Sequence, residues 1–163
     1  MTPAEAIESV IREQELQFER VGPGAFVVAL PGERRLMTAC WLTVGRHALE
    51  IEAFVVRKPD ENHEQVYAFL LQRNVRMYAV AWAIDAAGDV YLTGRLPLAA
   101  VTPEEVDRVL GCVLEYADGT FNHLLELGFG SSIRREWAWR VKRGESLANL
   151  QAFADFAQRP SVE

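Results

Sequence analysis

The chain has 163 residues and a net charge of −6, with half of its residues hydrophobic and a quarter charged. This composition is typical of a folded globular domain and excludes a disordered chain. The acidic balance also disfavours a domain that coats nucleic-acid phosphates, because that binding depends on clustered cations. We therefore expect a single domain over residues 1–163 and no nucleic-acid partner.

The cysteines and the apolar runs indicate where the protein works. Cys40 and Cys112 lie far apart in the chain, and neither has a neighbour at a metal-binding spacing. No signal peptide is recognisable at the N-terminus. The longest apolar stretch, Met77 to Ile84, is much shorter than the roughly 20 residues that cross a bilayer. We predict reduced core thiols and a cytoplasmic protein that does not associate with membranes.

The first half of the chain predicts one helix followed by a meander of strands. Thr2, Pro3 and Glu5 form a capping-box pattern that begins a short helix, which fades near Gln14. From Leu16 onward the apolar period changes to two, and turn residues separate successive runs. The predicted strands begin at Leu16 and then span Ala25–Leu30, Leu36–Val44 and Ala48–Val56.

The second half predicts a third hairpin with one helix before it and one helix after it. Asp60 or Asn62 is expected to cap a helix that reaches about Asn74, and the hairpin follows with strands over Val80–Asp85 and Val90–Leu96. A second capping box at Thr102 begins the longest helix, which continues toward Leu125.

The tail is predicted from its glycine and serine residues. Gly128, Gly130 and the Ser131-Ser132 pair are expected to break the long helix. A further segment then places Ile133, Trp137 and Val141 on its core face and ends at Gly144. Ser146 is expected to cap a final short helix, and residues 158–163 are expected to fray. The whole order predicts an α+β fold, with an antiparallel sheet of about five to six strands and helices packed against it.

None of the motifs that carry chemistry is complete. The sequence Gly128-Phe129-Gly130-Ser131-Ser132-Ile133 follows a helix and lacks the third glycine of a dinucleotide-binding loop. The three histidines are scattered, and no nucleophile elbow surrounds either serine. We predict that the protein is not an enzyme, and that it has no catalytic residues, no cofactor and no metal.

The basic segment from Arg134 to Arg143 is the strongest candidate for binding. On a helix, Trp139 would face outward beside Arg135 and Arg143. Trp and Arg are enriched in binding hot spots. We therefore predict that Arg135, Trp139, Arg140 and Arg143 contact a protein partner. The alternative is that arginine stems cover the Trp within the chain, with salt bridges to the acidic first helix.

A second hypothesis is an anion-responsive regulator. In this interpretation Arg57, Arg73 or Arg95 clamps a small anion or a nucleotide, because the guanidinium fork matches carboxylate and phosphate oxygens.

Four segments together resemble a known family: Pro59–Asn62, Arg73-Asn74, Gly94–Leu98 and Ser131–Trp137. They are similar to the actinobacterial branch of the YbjN-domain family, over nearly the whole chain. The resemblance implies the fold of type III secretion chaperones, which are homodimers that hold an extended partner segment. The family carries a label of sensory-transduction regulator and no established catalytic residues. It thus implies a protein-binding or chaperone-like module with an unidentified protein partner, and a homodimer.

Overall fold

A computed structural model describes residues 1–159, which form a six-stranded antiparallel sheet with helices packed against it. The strand order is β1-β2-β3-β4-β6-β5, so β1 and β5 are the edges. The predicted fold class is confirmed. The strands are β1 (Phe18–Gly22), β2 (Ala25–Pro31), β3 (Met37–Val44), β4 (Ala48–Val56), β5 (Val80–Ile84) and β6 (Val90–Pro97). The α-helices are α1 (Pro3–Glu13), α2 (His63–Asn74), α3 (Pro103–Arg143) and α4 (Ala154–Gln158).

The predicted caps of α1 and α3 are present. The hydroxyl of Thr2 accepts a hydrogen bond from the Glu5 amide at 3.2 Å, and the Thr102 hydroxyl accepts one from the Glu105 amide at the same distance. Helix α2 ends at Asn74 as predicted, but its predicted cap was wrong. Asn62 precedes that helix in a left-handed conformation and makes no capping bond. Its amide instead donates to the Leu127 carbonyl at 2.9 Å, so a distant partner displaces the local one.

Helix α3 is kinked where the sequence predicted a break. It continues for 41 residues, and only Phe129 departs from helical backbone angles. Gly144 ends it in a left-handed conformation, as predicted. Ile133 is buried, but Val141 is 57% exposed, so the predicted core face of this segment was wrong at its end.

The C-terminal segment is less regular than the predicted helix. The Ser146 hydroxyl accepts from the Ala148 amide at 3.2 Å, and a 3₁₀-helix then spans Ala148–Phe153 before α4. Residues 158 and 159 are described, whereas the rest of the predicted frayed tail, 160–163, lies outside the described residues.

The core lies between one face of the sheet and the helices. This inner face contributes side chains such as Phe26, Cys40 and Leu42, which have no exposed area. Gly94 in β6 lets its strand lie close to the backbone of Ala79, just before β5. A Cβ atom at this position would overlap the Ala79 carbonyl oxygen. No helix within residues 1–159 combines the length and the apolarity needed to cross a bilayer.

Candidate functional site

The opposite face of the sheet carries large apolar side chains that no helix within residues 1–159 buries. Alternate residues of each strand point away from the core, and β4 shows this in strict alternation from Ala48 to Val55. Trp41 of β3 is 46% exposed and Phe54 of β4 is 38% exposed. Phe54 meets Tyr91 of β6 edge-on, with ring centroids 5.5 Å apart. We call this surface the outer face.

Small and acidic side chains surround these aromatic rings. Trp41 lies opposite Val27 in β2 and opposite Glu52 in β4. Glu50 of β4 has Arg95 of β6 as its cross-strand neighbour, and a guanidinium nitrogen of Arg95 lies 3.7 Å from a carboxylate oxygen of Glu50. Desolvation raises the pKa of Tyr91, and the negative charges of nearby acidic residues, Asp85, Asp89 and Glu52, raise it further. The outer face is therefore both aromatic and electronegative.

A second apolar surface lies where α2 meets edge strand β5. Leu71, Val75, Tyr78 and Ile84 are all exposed there. Leu71 and Ile84 line a depression of about 240 Å³ whose walls come from α2 and β5. We call this surface the α2–β5 edge.

The backbone of the α2–β5 edge is closed at its centre. The Asn74 side chain accepts from the Trp82 amide at 2.7 Å and donates to the Trp82 carbonyl at 3.2 Å. These are groups that an added strand would need for pairing. A partner at this edge must therefore pack through side chains at Trp82 and not through a continuous backbone ladder.

The predicted basic site on α3 has an exposed tryptophan, but its arginines already have partners within the chain. Trp139 is 52% exposed, as expected, but the Arg143 guanidinium lies 5.0 Å from its ring centroid. Arg140 pairs with Glu136 at 2.8 Å, and Arg143 pairs with Glu145 at 3.3 Å.

Two of the four predicted residues thus have acidic partners close by in the chain. Arg135 donates to the Ser132 hydroxyl at 3.2 Å. The salt bridges are local and do not reach α1, which the shielding alternative had required. The guanidinium of Arg143, which lies over the Trp139 ring, supplies part of the shielding that this alternative describes.

A polar cluster fixes the direction of the C-terminal part of α3. Asp60 receives hydrogen bonds from Arg57 at 2.7 Å and from the Ser132 hydroxyl at 3.2 Å. Glu61 receives bonds from the Ser131 amide at 2.7 Å and from the Ser131 hydroxyl at 2.9 Å. We call these five residues the clasp.

The clasp joins two segments that the sequence analysis treated separately. The hydrogen bond from Arg57 holds the pKa of Asp60 below its ordinary value. Gly128 permits the approach, since a Cβ atom there would lie 3.0 Å from the Pro59 Cβ. The clasp therefore sets the kink at Phe129 and gives both serines a structural role.

The three arginines proposed for anion binding do not converge. Arg57 belongs to the clasp, and Arg95 faces Glu50 on the sheet. Arg73 lies on α2, with its guanidinium 4.5 Å from the Phe69 ring centroid. Arg73 lines a cleft that has no carboxylate in its wall. Arg95 lines a depression of the outer face together with Glu50 and Glu52, which disfavour an anion there.

Comparison with solved structures defines the class of this fold. A chain of the ExsC–ExsE complex matches with a TM-score of 0.55 and 18% identity, covering 74% of this chain and 92% of the other. The Yersinia pestis type III secretion chaperone SycH, solved with a fragment of YscM2, gives a TM-score of 0.52 at 16% identity, covering 71% and 97%. The fold is that of the type III secretion chaperones, as predicted.

The sequence comparisons establish the family. The family model for YbjN, described as "Putative bacterial sensory transduction regulator", matches residues 3–126. Uncharacterized proteins of Mycobacterium tuberculosis and Mycobacterium bovis are each 62% identical over 132 residues, or 81% of this chain and 72% of theirs. The chain belongs to the YbjN family.

Proposed function

We propose that this protein is a non-enzymatic protein-binding module whose outer face holds an extended segment of a partner. The observation that supports this proposal most is the exposed pair of Trp41 and Phe54, on a sheet face that none of the described helices covers. Aromatic side chains supply much of the binding energy at protein interfaces. The related folds of ExsC–ExsE and HopA1–SchA were solved as complexes with protein partners, which agrees with the proposal.

The chemistry of the outer face defines the kind of segment that it would hold. Apolar side chains of the partner would pack on Trp41 and Phe54. Glu50 and Glu52 lie among these rings, and Arg95 is the basic residue beside them. A segment that alternates apolar residues with Lys or Arg complements this pattern.

The basic residues of α3 form the second candidate surface. Arg135, Trp139, Arg140 and Arg143 would add a contact for acidic residues of the partner. We rank this surface below the outer face because Arg140 and Arg143 already have carboxylate partners and Arg143 covers part of Trp139.

The two surfaces can be separated by peptide selection. A library of random 12-residue peptides is selected against the wild-type protein, and the binders are measured against variants. Trp41→Ala with Phe54→Ala should weaken binding by about a hundredfold, since each residue is a candidate hot spot. Trp139→Ala is the matched control on α3. Binders without basic residues, or binders that lose affinity only in Trp139→Ala, would contradict the outer-face assignment.

We also propose a homodimer formed through the α2–β5 edge. Leu71 and Ile84 are exposed there, and a pair of such surfaces would remove them from water. Light scattering should give twice the chain mass for the wild type, and Leu71→Glu with Ile84→Glu should give the monomer. A monomeric wild type at tens of micromolar would overturn this proposal. Both cysteines are free thiols, in keeping with our proposal that the protein works in the cytoplasm.

A further inference from the structure

A cleft lies beside the C-terminal end of α2, with α3 forming its opposite wall. Its volume is about 330 Å³, which falls within the range of small-molecule sites. Phe69, Met77, Trp82 and Tyr116 provide its apolar walls. The cleft is separate from the outer face, because Trp82 points to the inner side of the sheet and is buried.

Two arginines of this cleft have no charge partner in the described part of the chain. Arg73 and Arg76 both line it, and neither side chain forms a salt bridge or a hydrogen bond within residues 1–159. No carboxylate lines the cleft either. Seven other arginines each have a carboxylate within 4.0 Å. These are Arg12, Arg34, Arg57, Arg95, Arg108, Arg140 and Arg143.

Arg73 is also held in place. Its guanidinium stacks on the Phe69 ring, one helical turn earlier in α2, at 4.5 Å. Stacking fixes the plane of the guanidinium and leaves its N–H groups free around the edge. This arrangement is suited to an oxyanion that arrives from the cleft.

The uncharged polar side chains of the wall, Gln72, Tyr116 and Thr120, can each donate a hydrogen bond. The indole N–H of Trp82 is buried and has no hydrogen-bond acceptor within residues 1–159. The Tyr116 hydroxyl accepts a hydrogen bond from the Tyr78 amide at 2.8 Å. Buried donors are nearly always paired in folded proteins. The Trp82 N–H itself is covered, so it would report a ligand that packs on its ring and would not bond to the anion directly.

We propose that the cleft binds a small amphipathic anion, a carboxylate or phosphate attached to an apolar body. The anionic group lies between Arg73 and Arg76, and the apolar body packs against Met77 and Trp82. The proposal is independent of partner binding at the outer face, because the two sites share no residue.

The test uses 3-phenylpropionate and phenyl phosphate as probes and 3-phenylpropanamide as the neutral match. The Trp82 indole N–H signal of ¹⁵N-labelled protein reports binding. At least one anion should shift this signal in a saturable way. The amide should bind at least about tenfold more weakly, because it cannot form charge-assisted hydrogen bonds to arginine. Arg73→Gln with Arg76→Gln should cause a loss of similar size. Arg46→Gln, an exposed turn residue, is the control and should bind as the wild type does.

Three results would overturn the proposal. The Trp82 signal could stay fixed with both anions, the amide could shift it equally well, or the double variant could keep full affinity. The comparison of acid with amide uses the wild-type protein alone, so it decides the question even if the double variant does not fold. Loss of peptide binding at the outer face would leave this result unaffected.

Discussion

The two faces of the sheet use the same strands for different purposes. In β3, Cys40 and Leu42 have no exposed area, whereas Trp41 between them is nearly half exposed. The buried face joins the strands to α1, α2 and α3 in one core. The outer face has side chains of similar size, which no helix in the described part of the chain covers. Removing a side chain should therefore cost stability on the inner face and partner binding on the outer face.

The largest effect is expected from a matched pair of aromatic truncations. Phe26→Ala empties a fully buried position in β2 and should lower the free energy of unfolding by about 3–5 kcal/mol. Trp41→Ala removes a larger side chain from the outer face and should lower it by about 1 kcal/mol or less, because the ring is already partly in water. Urea denaturation of both variants measures the difference. Equal losses would show that the outer face is also part of the core.

A glycine pair gives the next largest effect. Gly94→Ala places a methyl group against the Ala79 carbonyl and should cost about 1–3 kcal/mol, because the two backbones must move apart. Gly111→Ala is the control on α3, where the added methyl meets no atom within 4 Å. Helix propensity predicts that this change stabilises the protein by about 0.5–1 kcal/mol. Thermal denaturation checks whether the two substitutions have opposite signs.

The cysteines distinguish the buried inner face from a helix surface. Burial raises the pKa of the Cys40 thiol to about 12, so almost no thiolate forms at pH 8. Cys112 on α3 is only half-buried. In the native protein a thiol reagent should modify one cysteine, Cys112, and in urea it should modify both. Rapid labelling of Cys40 in the native protein would show that the inner face opens readily.

The smallest effect is expected at the exposed clasp. The lowered pKa of Asp60 means that its carboxylate stabilises the folded state above the ordinary Asp pKa of about 4. This stabilisation is lost as the pH falls through the lowered pKa. The melting temperature of the wild type should therefore exceed that of Asp60→Asn at pH 7, and the difference should shrink toward pH 3. A difference that grows with acidity would contradict the role given to Asp60.

Local signals in the sequence predicted most of the fold. The bounds of β4 agree at both ends, because strict alternation and flanking turn residues mark them. The capping boxes at Thr2 and Thr102 depend only on residues three apart. The prediction failed at Asn62, whose side chain bonds to a residue 65 positions away. It also failed at Val141, because periodicity does not show where the core ends along a helix.

The candidate surfaces depend still more on long-range packing. Alternation identified the strand containing Trp41, but a single strand does not show which face the helices cover. The clasp joins residues about 70 positions apart, and the sequence did not link them. Arg73 was selected from the sequence. Arg76 and the Trp82 indole, which has no hydrogen-bond partner within residues 1–159, became apparent only when α2, β5 and α3 were seen together.

The four tryptophans permit one direct test of the proposed outer-face binding. Their indole N–H signals report separately on the outer face through Trp41, on the cleft through Trp82, and on the end of α3 through Trp137 and Trp139. A selected peptide is titrated into ¹⁵N-labelled protein, and the four signals are followed. We predict that the Trp41 signal moves to saturation while those of Trp82 and Trp139 stay in place. Movement of Trp139 with Trp41 unchanged would contradict the account.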